Sequence, residues 1–99
     1  MIVDEVLREL ATSNKPEARA LHKGLNSKTQ LFGFKKGMSL KQHEVHMETT
    51  VFVLEGRIIY KDVRGREKTL DKYHSLDLPV EVVHTLEAGE DSLCLMIQG

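Results

Sequence analysis

The stretch GMSLKQHEVHMETTVFVLEG, residues 37 to 56, carries the clearest structural signals in this 99-residue chain. It holds two of the five histidines, His43 and His46, and it runs directly into the segment TTVFVL, residues 49 to 54. β-branched and aromatic residues of this kind favour a half-buried strand. A glycine bounds the stretch at each end, as is typical of turns. The stretch therefore predicts a short histidine-bearing strand that leads into a strong second strand.

Short strands separated by turn residues also account for most of the remaining chain. About nine β-prone segments follow residue 16 at turn spacings of roughly 8 to 12 residues, a pattern typical of an all-β barrel or sandwich. No helical pattern interrupts them, which argues against parallel βαβ architecture. The predicted strands are residues 17–23, 28–35, 40–46, 49–54, 57–61, 66–70, 74–78, 81–86 and 92–97.

The N-terminal residues have a helical period instead. One apolar stripe recurs at i, i+3, i+4 and i+7 and consists of Val3, Val6, Leu7 and Leu10. Pro16 marks the end of this pattern. We therefore predict an N-terminal helix over residues 1–16 and one barrel domain over residues 17–99. Because so short a helix is marginal alone, it must pack on the sheet or on a second subunit, and a homodimer is predicted.

Composition and charge exclude several classes of protein. The net charge is −1 and both signs are scattered along the chain, whereas a nucleic-acid binder would normally carry a basic stripe. No apolar run approaches the roughly 18 residues of a membrane span. The single cysteine, Cys94, cannot form an internal disulfide, and no signal peptide is visible. We predict a cytoplasmic protein that binds neither nucleic acid nor membranes.

Two motifs in the chain resemble those of the cupins. The first cupin motif is a glycine, five residues, His-x-His, three or four residues, a glutamate, six residues and a glycine; Gly37, His43 and Gly56 occupy matching positions. The second is a glycine, five residues, Pro-x-Gly, two residues, a histidine, three residues and an asparagine, and residues 79–84 (PVEVVH) echo it. The resemblance covers roughly residues 28–98. It implies a small single-domain cupin of the RmlC-like jelly-roll family, an all-β double-stranded β-helix preceded by a short α-helix.

Only some of the ligand positions of these motifs carry a metal-binding residue in this chain. A complete cupin supplies four metal ligands, and here only His43 and His84 stand at ligand positions. Val45 occupies the second histidine position and Thr49 the glutamate position. The two glycines and the asparagine of the second motif are replaced by Tyr73, Glu81 and Ala88. The resemblance therefore implies a degenerate metal site.

Side-chain alternation along strands predicts which residues share the barrel interior with the two histidines. The predicted pocket consists of His43, Val45, Thr49, Val51, Val82, His84 and Leu86. Two imidazoles are few ligands, because zinc usually has at least three protein ligands and non-haem iron two histidines and a carboxylate. We predict an incomplete site for a divalent transition metal, with zinc, iron, manganese and nickel not distinguished.

A β-bulge could complete this ligand set. If a bulge lay between Gln42 and Glu48, the phase would shift by one residue and His46 would turn inward. His43, His46 and His84 would then form a three-histidine site, with Glu48 as a further ligand. With regular alternation, His46 and Glu48 are instead solvated residues at a strand end.

These observations leave more than one class of function. We predict a small-ligand or metal-binding module, such as a sensor, because an apolar interior with a few polar groups is the usual small-molecule pocket. The alternative, implied by the resemblance, is a metal-dependent enzyme of dioxygenase or isomerase type that uses His43 and His84 with His46 or Glu48. A third possibility is an association unit that pairs through edge strands. Whether the chain is an enzyme stays open at this point.

Overall fold

A computed structural model of the chain describes residues 1–43 and 46–99, and for residues 41–43 it describes the backbone. These residues form one helix and nine strands. The elements are α1 (Ile2–Ala11), β1 (Glu17–Lys23), β2 (Lys28–Phe34), β3 (Ser39–His43), β4 (Thr49–Glu55), β5 (Ile58–Asp62), β6 (Glu67–Leu70), β7 (Ser75–Leu78), β8 (His84–Ala88) and β9 (Ser92–Gln98). The prediction of an all-β protein with one short N-terminal helix is confirmed.

The strands form two antiparallel sheets. One sheet has the order β1-β2-β9-β4-β7 and the other the order β3-β8-β5-β6. Pairs such as β2–β9 and β3–β8 join strands that are far apart in the chain, as the long crossings of a jelly roll require. No helix in the described part of the chain is both long enough and apolar enough to cross a membrane.

The inner faces of the two sheets meet in one core. Buried and half-buried residues alternate along β4 and β9, so that Val51, Val53, Cys94 and Met96 are buried. The largest side chains of this core are Phe34, Ile58, Tyr60 and Leu86. Protein interiors are close-packed, so each of these side chains restricts the movement of its neighbours. This packing holds the residues described below in place.

Two strands differ from their predicted limits by as many as three residues. β8 begins at His84 rather than residue 81, because Glu81 has a φ of +59° and cannot continue a strand. Tyr73 also has a left-handed backbone conformation, with a φ of +69°. The cupin motif has glycine at both positions, and a residue with a Cβ atom adopts a left-handed conformation there at a cost of about 1–2 kcal/mol each. β3 ends at His43 rather than residue 46.

Helix α1 packs against β1 and β2 at a point where the sheet carries no side chain. Val6 and Leu10 are its buried residues, and both lie over Gly33 of β2. A Cβ atom at Gly33 would lie 2.7 Å from Val6 Cγ1 and 3.2 Å from Leu10 Cδ2. Gly33 is therefore the point of close backbone approach that lets the helix cover the sheet.

Replacing Gly33 with alanine should lower the free energy of unfolding by about 1–3 kcal/mol, since the added methyl group overpacks the contact with Val6. Urea unfolding followed by circular dichroism measures the change. The matched control is Gly89→Ala, where the new Cβ would meet the flexible side chain of Arg57 at 3.2 Å. Equal losses in the two variants would contradict the proposed role of the helix contact.

Candidate functional site

His84 is the buried polar residue around which the candidate site is built. It is the first residue of β8, and its side chain is only 1% exposed. Its Nδ1 atom lies 3.2 Å from the carbonyl oxygen of Val82. A carbonyl oxygen only accepts hydrogen bonds, so this contact requires the proton on Nδ1. Nε2 is then the nitrogen that carries the lone pair.

His43 is the last residue of β3 and the ladder partner of His84. The register of β3 and β8 places the two Cα atoms opposite each other. This register includes an irregularity between Leu40 and His43. The side chain of His43 and the whole of Val45 lie outside the described residues.

A second pair of polar residues lies beside His84. The ring of Tyr60 stacks on the imidazole, with 5.6 Å between ring centroids and an interplanar angle of 29°. The Tyr60 hydroxyl donates a hydrogen bond of 2.6 Å to Oδ2 of Asp62. Asp62 is itself the Cα partner of His84 in the β5–β8 ladder. The three residues thus form one connected group at the end of the four-stranded sheet.

Both members of the Tyr60–Asp62 hydrogen bond have shifted pKa values. Burial, with the hydrogen bond to Asp62 as a further cause, raises the pKa of Tyr60 to about 12. The same hydrogen bond lowers the pKa of Asp62. At neutral pH the phenol is therefore the donor and the carboxylate the acceptor, and neither exchanges these roles.

Neither the cupin motifs nor side-chain alternation singled out Tyr60 and Asp62 as site residues. They occupy alternate positions of β5, so they share a strand face, and Asp62 precedes the turn residues of an RGR loop, residues 64–66. An aspartate before such a loop often binds backbone amides of the turn. That signal could have identified Asp62 as a structural residue, but not as a neighbour of His84.

The remaining predicted pocket residues that the structure describes are all buried. Thr49, Val51, Val82 and Leu86 are all buried, at 4% exposure or less. The Thr49 hydroxyl donates to the carbonyl oxygen of Met47 at 3.0 Å and accepts a long hydrogen bond, 3.4 Å, from Nε2 of Gln98. At the position of the cupin glutamate there is thus a buried hydroxyl that already has partners.

The two residues that could have completed the ligand set lie at the surface. His46 and Glu48 are both exposed. Among the side chains that the structure describes, no three histidine, cysteine, aspartate or glutamate groups come together in a metal-binding arrangement. A small cavity of about 130 Å³ opens beside His84 and Asp62, where β5 and β8 meet the loops. Its size suits a few water molecules rather than a large organic ligand.

Comparison with known proteins shows the fold. No family model and no curated protein matches the chain. A cupin superfamily protein from Desulfitobacterium hafniense superposes with a TM-score of 0.80 at 21% identity, over 87% of this chain and 78% of that protein. An RmlC-like cupin from Desulfovibrio desulfuricans superposes with a TM-score of 0.74 at 24% identity, over 85% and 82% of the two chains. The chain has the cupin fold. The predicted resemblance is thereby confirmed.

The cupin fold also occurs within larger proteins that match this chain. Salicylate 1,2-dioxygenase from Pseudoaminobacter salicylatoxidans superposes with a TM-score of 0.83 at 14% identity. The match covers 97% of this chain but 31% of that enzyme. At such low identity the likeness concerns the fold alone, since cupins and other common folds host many unrelated activities.

Proposed function

We propose that this cupin is a binding module that holds a divalent transition metal in the barrel through His43 and His84. The observation that carries the proposal is the register of β3 and β8, which makes the two histidines direct ladder partners. Residues directly opposite in an antiparallel pair have Cβ atoms about 4.5–5.5 Å apart and share one face of the sheet. That separation suits two ligands of one metal ion.

The environment of His84 fits this role. Metal-binding histidines usually donate their second ring nitrogen to a carbonyl or carboxylate, which fixes the ring. The contact of Nδ1 with the Val82 carbonyl is of this kind and leaves Nε2 as the ligand atom. The buried position of the ring among apolar residues such as Leu86 also limits competition from water. The described donor, Nε2 of His84, therefore fits the role of a metal ligand.

The same donors favour binding over catalysis. The described inward positions supply no free carboxylate, because Thr49 replaces the cupin glutamate and Asp62 accepts from Tyr60. His46 and Glu48, which the enzyme alternative would use, are exposed. A bound metal would act as a Lewis acid at the coordination positions that protein ligands leave open. We propose that these positions bind a small molecule with oxygen or nitrogen donors.

The proposal predicts that untagged protein binds one equivalent of Zn²⁺, Mn²⁺, Fe²⁺ or Ni²⁺ per chain. His84→Ala and His43→Ala should each weaken binding by about 100-fold or more, since loss of a ligand should exceed the 10–100-fold effect of losing its supporting partner. Titration calorimetry and elemental analysis measure affinity and stoichiometry.

Two further histidine variants act as controls for this experiment. His22→Ala removes an exposed histidine of β1 and should bind metal as the wild type does. His46→Ala tests the three-histidine alternative, and unchanged affinity would exclude His46 as a ligand. If His84→Ala binds metal as tightly as His22→Ala, the proposed site is wrong.

We further propose that the chain acts as a cytoplasmic homodimer. Leu7 of α1 and Ile97 of β9 remain 46% and 43% exposed. Exposed apolar residues of this kind are often found at contact surfaces between proteins. The single cysteine, Cys94, is buried and free, in keeping with a reducing compartment.

A further inference from the structure

We infer that Asp62, acting through Tyr60, is a positioning residue that holds the His84 imidazole in one orientation and one tautomer. The inference deepens the proposed metal site and rests on the role given there to His84. It arises from a group of contacts that belongs to neither cupin motif. Three steps support it: the contact between the rings, the anchoring of Asp62, and the direction in which His84 is turned.

The contact between the rings restricts His84. Tyr60 is completely buried, and its ring lies nearly parallel to the imidazole at a centroid distance of 5.6 Å. Side chains in a close-packed interior cannot rotate independently of such a neighbour. A rotation of the His84 ring therefore requires Tyr60 to move, and the position of Tyr60 decides which orientation of the imidazole is stable.

The position of Tyr60 is in turn decided by Asp62. The Oδ2 atom of Asp62 accepts the hydrogen bond from the Tyr60 hydroxyl at 2.6 Å. Its Oδ1 atom accepts from the backbone amides of Arg64 at 2.9 Å and Arg66 at 3.0 Å. Charge-assisted hydrogen bonds are about twice as strong as neutral ones. The carboxylate thus ties the phenol to the hairpin between β5 and β6.

The result of these contacts is visible in the direction of the imidazole. With Tyr60 against one face, Nδ1 lies at hydrogen-bonding distance from the carbonyl of Val82. This arrangement selects the tautomer with the proton on Nδ1, and the lone pair of Nε2 becomes the ligand. Without the anchor at Asp62, Tyr60 would be free to shift, and the imidazole could adopt more than one orientation.

The test compares metal-free proteins labelled with ¹⁵N-histidine by NMR, because ring nitrogen shifts report the tautomer directly. We expect the wild type to show His84 with the proton on Nδ1. Tyr60→Phe removes only the hydroxyl, and Asp62→Ala removes the anchor. Both variants should show a mixture of tautomers, and both should bind Zn²⁺ about ten-fold more weakly than the wild type.

Matched controls distinguish positioning from a general loss of stability. Tyr73→Phe removes the hydroxyl of a tyrosine that packs on Phe52 away from the site. Asp77→Ala removes a carboxylate that accepts a hydroxyl hydrogen bond of 2.8 Å from Thr50, much as Asp62 accepts one from Tyr60. Both controls should keep the His84 tautomer of the wild type.

The outcomes separate this inference from the proposed function. An unchanged His84 tautomer in folded Tyr60→Phe and Asp62→Ala proteins would overturn the inference, whether or not metal binds. A mixture of tautomers in these variants, with wild-type spectra in the controls, supports it even if the wild type binds no metal. If Asp62→Ala does not fold, Tyr60→Phe decides the question alone, because it changes only one hydrogen bond.

Discussion

Replacing Gly56 with alanine should lower the free energy of unfolding by about 3–5 kcal/mol, the largest single-site loss that we expect in this chain. Two costs add at this position. Gly56 has a φ of +85°, where a residue with a Cβ atom is strained by about 1–2 kcal/mol. The remainder comes from collision with a neighbouring chain segment.

The collision involves the backbone, which cannot move aside cheaply. An added Cβ would lie 2.9 Å from Cα of Ser92 and closer still to the carbonyl oxygen of Asp91 and to Ser92 Oγ. The Ser92 hydroxyl is buried and accepts a hydrogen bond of 3.0 Å from the amide of Arg57. Relief of the clash would therefore disturb the start of β9 and its hydrogen bond to Arg57.

The control separates the two costs. Gly65 has nearly the same φ, +83°, but nothing lies within 4 Å of a Cβ atom built on it. Gly65→Ala should thus lose only the strain of about 1–2 kcal/mol. Urea unfolding of both variants measures the difference. Equal losses would show that the close approach to Ser92 contributes nothing.

Raising the pH from about 8 to about 11 should lower the free energy of unfolding by about 4 kcal/mol. The main cause is Cys94, whose burial raises the pKa of its thiol from 9.0 to about 12. Above pH 9 the folded state holds this proton more tightly than the unfolded state does. The stabilisation that this tighter proton binding provides is fully present below pH 9 and is lost as the pH rises towards 12.

The magnitude follows from about 1.4 kcal/mol for each pKa unit. At about pH 11 the thiol accounts for about 3 kcal/mol, counted from its ordinary pKa of 9.0. The pKa of Tyr60 is raised from 10.0 to about 12. Tyr60 adds about 1 kcal/mol to the loss at pH 11, because its contribution begins one pH unit above that of Cys94. Urea unfolding at several pH values, in the presence of a reductant, measures the loss.

Two variants assign the alkaline loss to its sources. Cys94→Ala should flatten the pH dependence of the free energy of unfolding between about pH 9 and pH 10. Of Cys94 and Tyr60, only Cys94 contributes in this range. Tyr60→Phe should remove part of the slope above pH 10 and leave the lower region unchanged. A wild-type curve as flat as that of Cys94→Ala would contradict the role of the buried thiol.

Most of the fold was predictable because local patterns determine it. The alternation of Thr49, Val51 and Val53 predicted a strand with one buried face, and the structure buries all three. Two strand limits, the end of β3 and the start of β8, were wrong by three residues. Glu81 adopts a left-handed conformation that its side chain does not signal, so β8 was predicted to begin three residues early.

The candidate site was less predictable than the fold. Spacing singled out His43 and His84, and alternation grouped them with residues that the structure buries. His46 and Glu48 are exposed, and they lie beyond the end of β3 at His43, whose pairing with β8 contains an irregularity. Such an irregularity depends on how two strands pair, and the sequence of neither strand indicates it.

The sequence by itself determined the cupin fold, the turn at Gly56 and the inward-facing residues of β4 and β8, because these depend on near neighbours in the chain. Only the tertiary structure decided that Asp62 lies opposite His84 and that Tyr60 stacks on its ring. Side-chain alternation assigns a residue to a face, but strand register decides which residue of another strand it meets. Register depends on contacts between segments distant in sequence, and for this reason the group formed by Tyr60, Asp62 and His84 emerges only in the folded chain.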